Sequence, residues 1–205
     1  MKKQGKPSAS KKKNTWADHY TEKAKKDNYP ARSVYKLMEI QKKFNVLRKN
    51  GRVLDLGCAP GSWLMYAAIQ AGSQGRAVGI DLQPVETRLP DNAVACVGDI
   101  FDMNPDVAGQ VAGEYDVVLS DMAPSTTGRK DVDTARSYDL CVAALAKAGD
   151  LLVQGGYFVC KIFQGSEFKQ FEQDVKSMFS QCSIFKPESC RKSSKEIYII
   201  GIGKK

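Results

Sequence analysis

A short apolar strand that breaks into a glycine turn and then a helix leaves a chain few folds to choose from. Here that unit begins with Arg52–Leu56 (RVLDL), bends between Gly57 and Gly61, and continues as a helix over 61–71 (GSWLMYAAIQA) that Gly72 stops. Three more apolar strands follow, each closed by an acid: Ala77–Ile80 by Asp81, Ala93–Val97 by Gly98-Asp99, and Tyr115–Leu119 by Ser120-Asp121. A helical pattern spans Thr134–Val153, and Gly156–Phe163 (GYFVCKIF) reads as a fifth strand. Glu167–Phe179 reads as a helix, and residues 182–187 pair with Glu196–Ile202. Upstream, Pro30 suits the first turn of a helix that continues through Val34, Leu37, Met38 and Ile40. Strands that are apolar throughout, alternating with helices, predict an α/β fold whose parallel sheet is covered on both faces. In such a sheet ligands bind beyond the carboxyl ends of the strands. Asp55, Asp81, Asp99, Asp121 and Lys161 all fall at or near such ends, a placement hard to assign to packing.

Charge and cysteine content narrow the surroundings. The net charge of +8 is uneven: residues 1–13 hold six lysines and no acid, leaving +2 for the other 192. The stretch 1–15 reads as a disordered basic arm with nothing to bury, or simply as a solubilising tail, ahead of one domain over 16–205. No apolar run is long enough to span a bilayer and no signal-peptide core follows the lysines, so the expectation is a cytoplasmic protein away from membranes. Six scattered cysteines without a CxxC, beside the single His19, predict reduced thiols and no metal site.

The turn Asp55-Leu56-Gly57-Cys58-Ala59-Pro60-Gly61 is neither a dinucleotide fingerprint nor a P-loop, because Ala59 and Pro60 stand where further glycines would be needed and no GxxxxGK[ST] occurs. With Asp81 some 20 residues on, placed to accept both hydroxyls of a ribose, and Asp99 placed to meet an adenine amino group, the reading is S-adenosylmethionine. The alternative is that Asp81 and Asp99 merely cap the helices that follow them.

Two lysines and two acids then stand out. Lys161 interrupts an apolar strand, either snorkelling at its end or facing Asp121 across adjacent strand ends. Lys36 shares a helical face with Arg32, and Glu196 opens the last strand after the basic loop 191–195. A ribose 2′-hydroxyl is a poor nucleophile and must lose its proton as it is alkylated. A lysine can take that proton only when neutral, and desolvation beside a second cation favours the neutral amine. Lys161 is therefore the candidate base and Lys36 the neighbouring cation, with Asp121 and Glu196 orienting the amines and the ribose. No metal is needed for this chemistry.

The segments Ala31–Leu37, Asp55–Trp63, Asp81, Gly98-Asp99, Ser120–Pro124, Lys161–Gly165 and Ser194–Tyr198 resemble the FtsJ family of ribose 2′-O-methyltransferases, from about Trp16 to the C-terminus. The resemblance implies a Rossmann-like class I methyltransferase with a seven-stranded, mostly parallel sheet whose last strand is antiparallel. It implies a Lys–Asp–Lys–Glu tetrad at Lys36, Asp121, Lys161 and Glu196, with Lys161 as proton acceptor. It also implies S-adenosyl-L-methionine contacts from Gly61, Trp63, Asp81, Asp99 and Asp121. The substrate it implies is a uridine of the 23S rRNA A-loop in the large ribosomal subunit, methylated by a monomer. Three other readings stay open: a relative acting on tRNA or another RNA, a catalytically silent RNA-binding assembly factor, and a small-molecule or protein methyltransferase.

Overall fold

The computed structural model describes residues 15–125, 127–191 and 193–205, with side chains described from His19 onward; the basic-arm reading of residues 1–15 lies, but for Thr15, outside it. The elements run α1 (Thr15–Lys26), α2 (Val34–Phe44), β1 (Arg52–Leu56), α3 (Ser62–Ala71), β2 (Arg76–Asp81), β3 (Ala93–Val97), α4 (Pro105–Val111), β4 (Tyr115–Ser120), α5 (Lys130–Leu151), β5 (Leu152–Phe163), α6 (Phe168–Met178), β6 (Phe179–Phe185) and β7 (Glu196–Lys204). The seven strands form one sheet in the order β3-β2-β1-β4-β5-β7-β6. β1 through β5 pair in parallel, and β7 runs antiparallel to both β5 and β6. Strand order reverses between β1 and β4, the place where an open α/β sheet offers a crevice to ligands.

The twofold alternation of strand side chains divides the core. Leu54, Val118, Phe158, Cys160 and Ile199 face the layer that includes α5 and α6. Val53, Val117, Leu119, Val159 and Ile200 face the opposite layer, under α2 and α3. By the same parity Asp55, Lys161, Tyr198 and Glu196 fall on the α2–α3 side. Leu37 and Ile40 anchor α2 there, and Asn45 in the left-handed region (φ 50°) ends it.

Sequence and structure part in four places, the first being Pro30, which lies four residues ahead of α2 rather than in its first turn. α1 has a weak apolar pattern and gains its place through Ala24, which packs with Val34 and Tyr35. α4 carries the signals expected of a helix start, Asn104 accepting from the Val107 N–H (2.9 Å) with Pro105 at the first position, but at seven residues it is too short to show a period. Leu152 and Val153, which continue the apolar run of α5, belong to β5.

Gly79 on β2 lies directly beneath the glycine turn: a Cβ there would stand 2.6 Å from Cys58 Sγ and 2.9 Å from Leu64 Cδ2. Gly79→Ala must therefore push the turn and α3 off the sheet, and urea unfolding should show about 1–3 kcal/mol of lost stability, the usual range for overpacking a filled core. Unchanged stability would mean that the turn has room to move.

Candidate active site

The turn after β1 is shaped by backbone. Gly57 (φ 77°) adopts a conformation that L side chains avoid, and a Cβ on it would overlap Met122 Cγ at 2.3 Å. Its N–H and that of Cys58 both donate to Ile80 O (2.8 and 3.2 Å), which ties the turn to the end of β2. Beside it opens a cleft of about 420 Å³ across the ends of β1, β2 and β4. Gly57, Asp81, Gly98, Asp99 and Asp121 line it.

Asp81 accepts from the backbone N–H groups of Ala59 (3.0 Å, Oδ2) and Gln83 (2.8 Å, Oδ1), so its carboxylate is held rigidly with lone pairs to spare. Asp99 accepts from the Phe101 N–H (2.9 Å). Neither caps a helix: among the described residues none follows Asp81 directly, and Asn104 caps α4. Leu82 and Phe101, two apolar side chains more than half exposed (64% and 61%), also border the cleft and suit a flat aromatic ligand. Sequence reading passed over both, since each reads as an ordinary loop residue.

Of the candidate cofactor contacts, Gly61 and Trp63 stand apart from this cleft. Gly61 is the N-cap of α3, next to Val85. Trp63 is buried, its indole N–H donates to Ser33 O (2.8 Å), and its ring packs 5.8 Å from that of Tyr198. It borders a small adjoining hollow that also reaches Asp121.

The second group converges on Asp121. Lys161 Nζ lies 3.1 Å from Asp121 Oδ1 and also donates to the backbone carbonyl of the same residue. Lys36 Nζ is 3.8 Å from that carboxylate oxygen and 2.9 Å from Glu196 Oε1. Lys36 comes from α2, Asp121 from the end of β4, Lys161 from β5 and Glu196 from the start of β7, so four distant stretches meet at one point. Both lysines are largely buried (8% and 7% exposed).

Tyr198, absent from the sequence reading of the site, donates its hydroxyl to the same Asp121 Oδ1 at 2.6 Å. Its signal was hidden because a tyrosine in the apolar run EIYII reads as core; only its register opposite Lys161 shows which way it points.

The electrostatics hold Asp121, Glu196 and Lys36 in their charged forms. Burial works to raise the Asp121 carboxyl, but Lys161, Lys36 and the Tyr198 hydroxyl outweigh it and keep it below the ordinary aspartate range. Burial likewise opposes Glu196 and is overcome by Lys36 and a hydrogen bond from the Cys190 thiol. Lys36 is raised: burial pulls it down, while Asp121 and Glu196 together more than restore it. Burial, with Asp121 and Glu196 close by, drives the Tyr198 phenol well above its usual value, so it remains a donor.

With this geometry in hand, the relatives are informative. Residues 29–204 match the family model described as FtsJ-like methyltransferase. The chain belongs to the FtsJ-like methyltransferase family. A relative from Desulforapulum autotrophicum, named Ribosomal RNA large subunit methyltransferase E, is 68% identical over 194 residues, 95% of this chain and 96% of its own. A protein of the same name from Bdellovibrio bacteriovorus is 45% identical over 191 residues, 92% and 97% of the two chains. Among solved structures, a Plasmodium falciparum protein described as a ribosomal RNA methyltransferase superposes with TM-score 0.75 at 27% identity, covering 86% of this chain and 98% of its own. An Aeropyrum pernix fibrillarin, at 17% identity, shares the fold (TM-score 0.57; 77% and 68% covered). The chain is thus a methyltransferase with the Rossmann-like α/β fold of this FtsJ-like family.

One acid sits oddly in this FtsJ-like enzyme. Asp55 is fully buried on β1, and neither carboxyl oxygen makes a hydrogen bond of ordinary geometry. Burial, then the charges of Asp121 and Asp81, push it well above the ordinary value, with the Leu64 backbone N–H pulling modestly the other way. A raised folded-state value means stability that is full below the unfolded carboxyl range and declines as pH rises through that range toward the folded-state value. Asp55→Asn removes that decline. It should raise the thermal midpoint of the ligand-free protein at neutral pH, and the gain should close near about pH 3. A difference that is the same at both pH values would show Asp55 to be an ordinary ionised carboxylate in the folded protein.

Proposed function

We propose that this protein methylates a ribose 2′-hydroxyl of 23S rRNA in the large ribosomal subunit, using S-adenosylmethionine, with Lys161 as the base. The observation that carries the reading is the pair of buried lysines sharing one Asp121 oxygen next to an acid-lined cleft. The names of the relatives support the ribosomal RNA substrate.

The cleft fits the cofactor. Asp81 would accept the ribose hydroxyls and Asp99 the adenine amino group, with Leu82 and Phe101 against the ring faces. Asp121, with Asp81 and Asp99 along the same cleft, gives it the negative potential that suits a molecule bearing ammonium and sulfonium charges. Gly61 and Trp63 would act from the turn and from the adjoining hollow. When bound, the cofactor supplies an electrophilic methyl group.

The chain's own residues do the rest. As the 2′-oxygen takes the methyl group and the methyl–sulfur bond breaks to leave a neutral thioether, the hydroxyl proton would pass to the Lys161 amine, which Asp121 holds in place through both its carboxylate and its carbonyl. Tyr198 fixes the shared oxygen from the far side. Lys36, kept cationic by Asp121 and Glu196, shares the Asp121 oxygen with Lys161. Lys36 and Glu196 also offer a donor and an acceptor to the ribose hydroxyls. Holding nucleophile and base in register supplies much of the rate without further chemistry.

Residues 1–13, with their six lysines, would add phosphate contacts and a steeper salt dependence to RNA binding. All six cysteines are free, which suits a reducing compartment such as the cytoplasm, and no helix among the described residues is long and apolar enough to cross a membrane.

The test is transfer of labelled methyl from S-adenosylmethionine to undermethylated large subunits, naked large-subunit rRNA and bulk tRNA. Wild type should label a ribose 2′-oxygen of the large-subunit RNA. Lys161→Ala should lose activity by about 10²–10⁴-fold, the usual worth of a positioned base, with cofactor affinity intact. Labelling of tRNA alone would keep the chemistry and replace the substrate; no transfer to any RNA, with cofactor still bound, would favour a silent RNA-binding protein.

A further inference from the structure

Lys36 and Glu196 form the outer pair of the site, yet they sit on elements that are far apart in sequence and share no strand pairing. Something must hold α2 against the connection between β6 and β7. Three contacts do so, and they recur along α2 at Lys36, Glu39 and Lys43–Phe44, a spacing of three and four residues that puts them on one helical face. At one end Lys36 meets Glu196. At the other Phe44 packs edge-on against Phe185 (5.7 Å between centroids), and Lys43 Nζ lies 4.5 Å from the centre of the same ring. Between them Glu39 spreads its carboxylate over two backbone donors of the connection: Oε2 accepts from the Glu188 N–H at 2.6 Å and Oε1 from the Ser189 N–H at 2.9 Å. A carboxylate bridging consecutive amides is a charge-assisted, two-point clamp, stiffer than a single hydrogen bond.

The clamped segment leads directly into the site. Cys190 follows Ser189, its N–H bonds back to Pro187 O (3.1 Å), and its thiol bonds to Glu196. Beyond it, Lys195 O accepts from the Gln164 N–H (3.0 Å), three residues past Lys161 on the β5 side. We infer that Glu39 is a positioning residue for methyl transfer: by clamping the Glu188–Ser189 backbone to α2 it keeps Lys36 in register with Glu196, and through them with Asp121 and the acceptor ribose. This rests on the reading of Lys36 and Glu196 as the ribose-holding pair. Glu39 touches no part of the cofactor cleft, so its effect should fall on the acceptor half of the reaction alone.

The experiment compares wild type, Glu39→Ala and Glu39→Gln in methyl transfer to undermethylated large subunits, together with the cofactor Kd by calorimetry and amide hydrogen exchange at Glu188 and Ser189. Glu39→Ala should lower kcat about 10- to 100-fold, the scale of a small misplacement of reacting groups. Cofactor Kd should stay unchanged, and exchange at the two amides should quicken. Glu39→Gln should recover part of the rate, because its amide oxygen can still accept one of the two bonds. An unaltered kcat in Glu39→Ala, or a cofactor Kd that weakens in step with kcat, would overturn the inference, the second by revealing a general loss of folding. If wild type itself modifies no RNA, the ribose-methylation reading falls. The exchange data would still decide the clamp: equal protection in wild type and Glu39→Ala would dismiss it, and lost protection would uphold it.

Discussion

The Asp121 carboxylate is where the parts of this molecule depend on one another. One of its oxygens lies within 3.1 Å of Lys161, 3.8 Å of Lys36 and 2.6 Å of the Tyr198 hydroxyl, in a setting from which water is largely excluded. Bringing ammonium groups into such a place is unfavourable unless each finds a counter-charge, and here two lysines are balanced by Asp121 and Glu196. The balance is collective. Removing the aspartate would leave Lys161 without its carboxylate and Lys36 with only Glu196, so the geometry of Lys161 cannot be separated from that of its neighbours.

That carboxylate also stands on the boundary between two kinds of work. Along the sheet, β3-β2-β1 present Asp99, Asp81 and the glycine turn, which suit a nucleoside. On the other side, β5 and β7 present Lys161, Tyr198 and Glu196. β4 lies between, its strand ending one residue before Asp121 at the point where the order of strands reverses. A reaction that joins two substrates needs its groups held in line, and a rigid sheet whose neighbouring strands end at one edge provides this without moving parts. Helix α2 then covers the Lys161–Glu196 side, through Lys36.

Much of this was legible before any coordinates. Strands closed by Asp81, Asp99 and Asp121 announce a parallel sheet with a polar edge, and Lys161 is conspicuous in an apolar strand because a charge there needs a reason. What remained hidden shares a cause. Tyr198 matters through its parity opposite Lys161, and Glu39 through two backbone amides some 150 residues away; neither relation leaves a local pattern, since strands buried on both faces look alike on either side and an acid on a helix looks solvated. α4 is hidden for the opposite reason: its cap is readable, but about two turns are too few for a period to emerge.

Asp55 shows how a local rule can be broken without harm to the fold. A buried carboxyl without a well-formed hydrogen bond, beside Asp81 and Asp121, is destabilising by every ordinary measure, and a valine or leucine at that position would continue the strand. Burial, then the charges of Asp121 and Asp81, oppose its ionised form and favour the neutral acid, which costs far less to bury than a carboxylate.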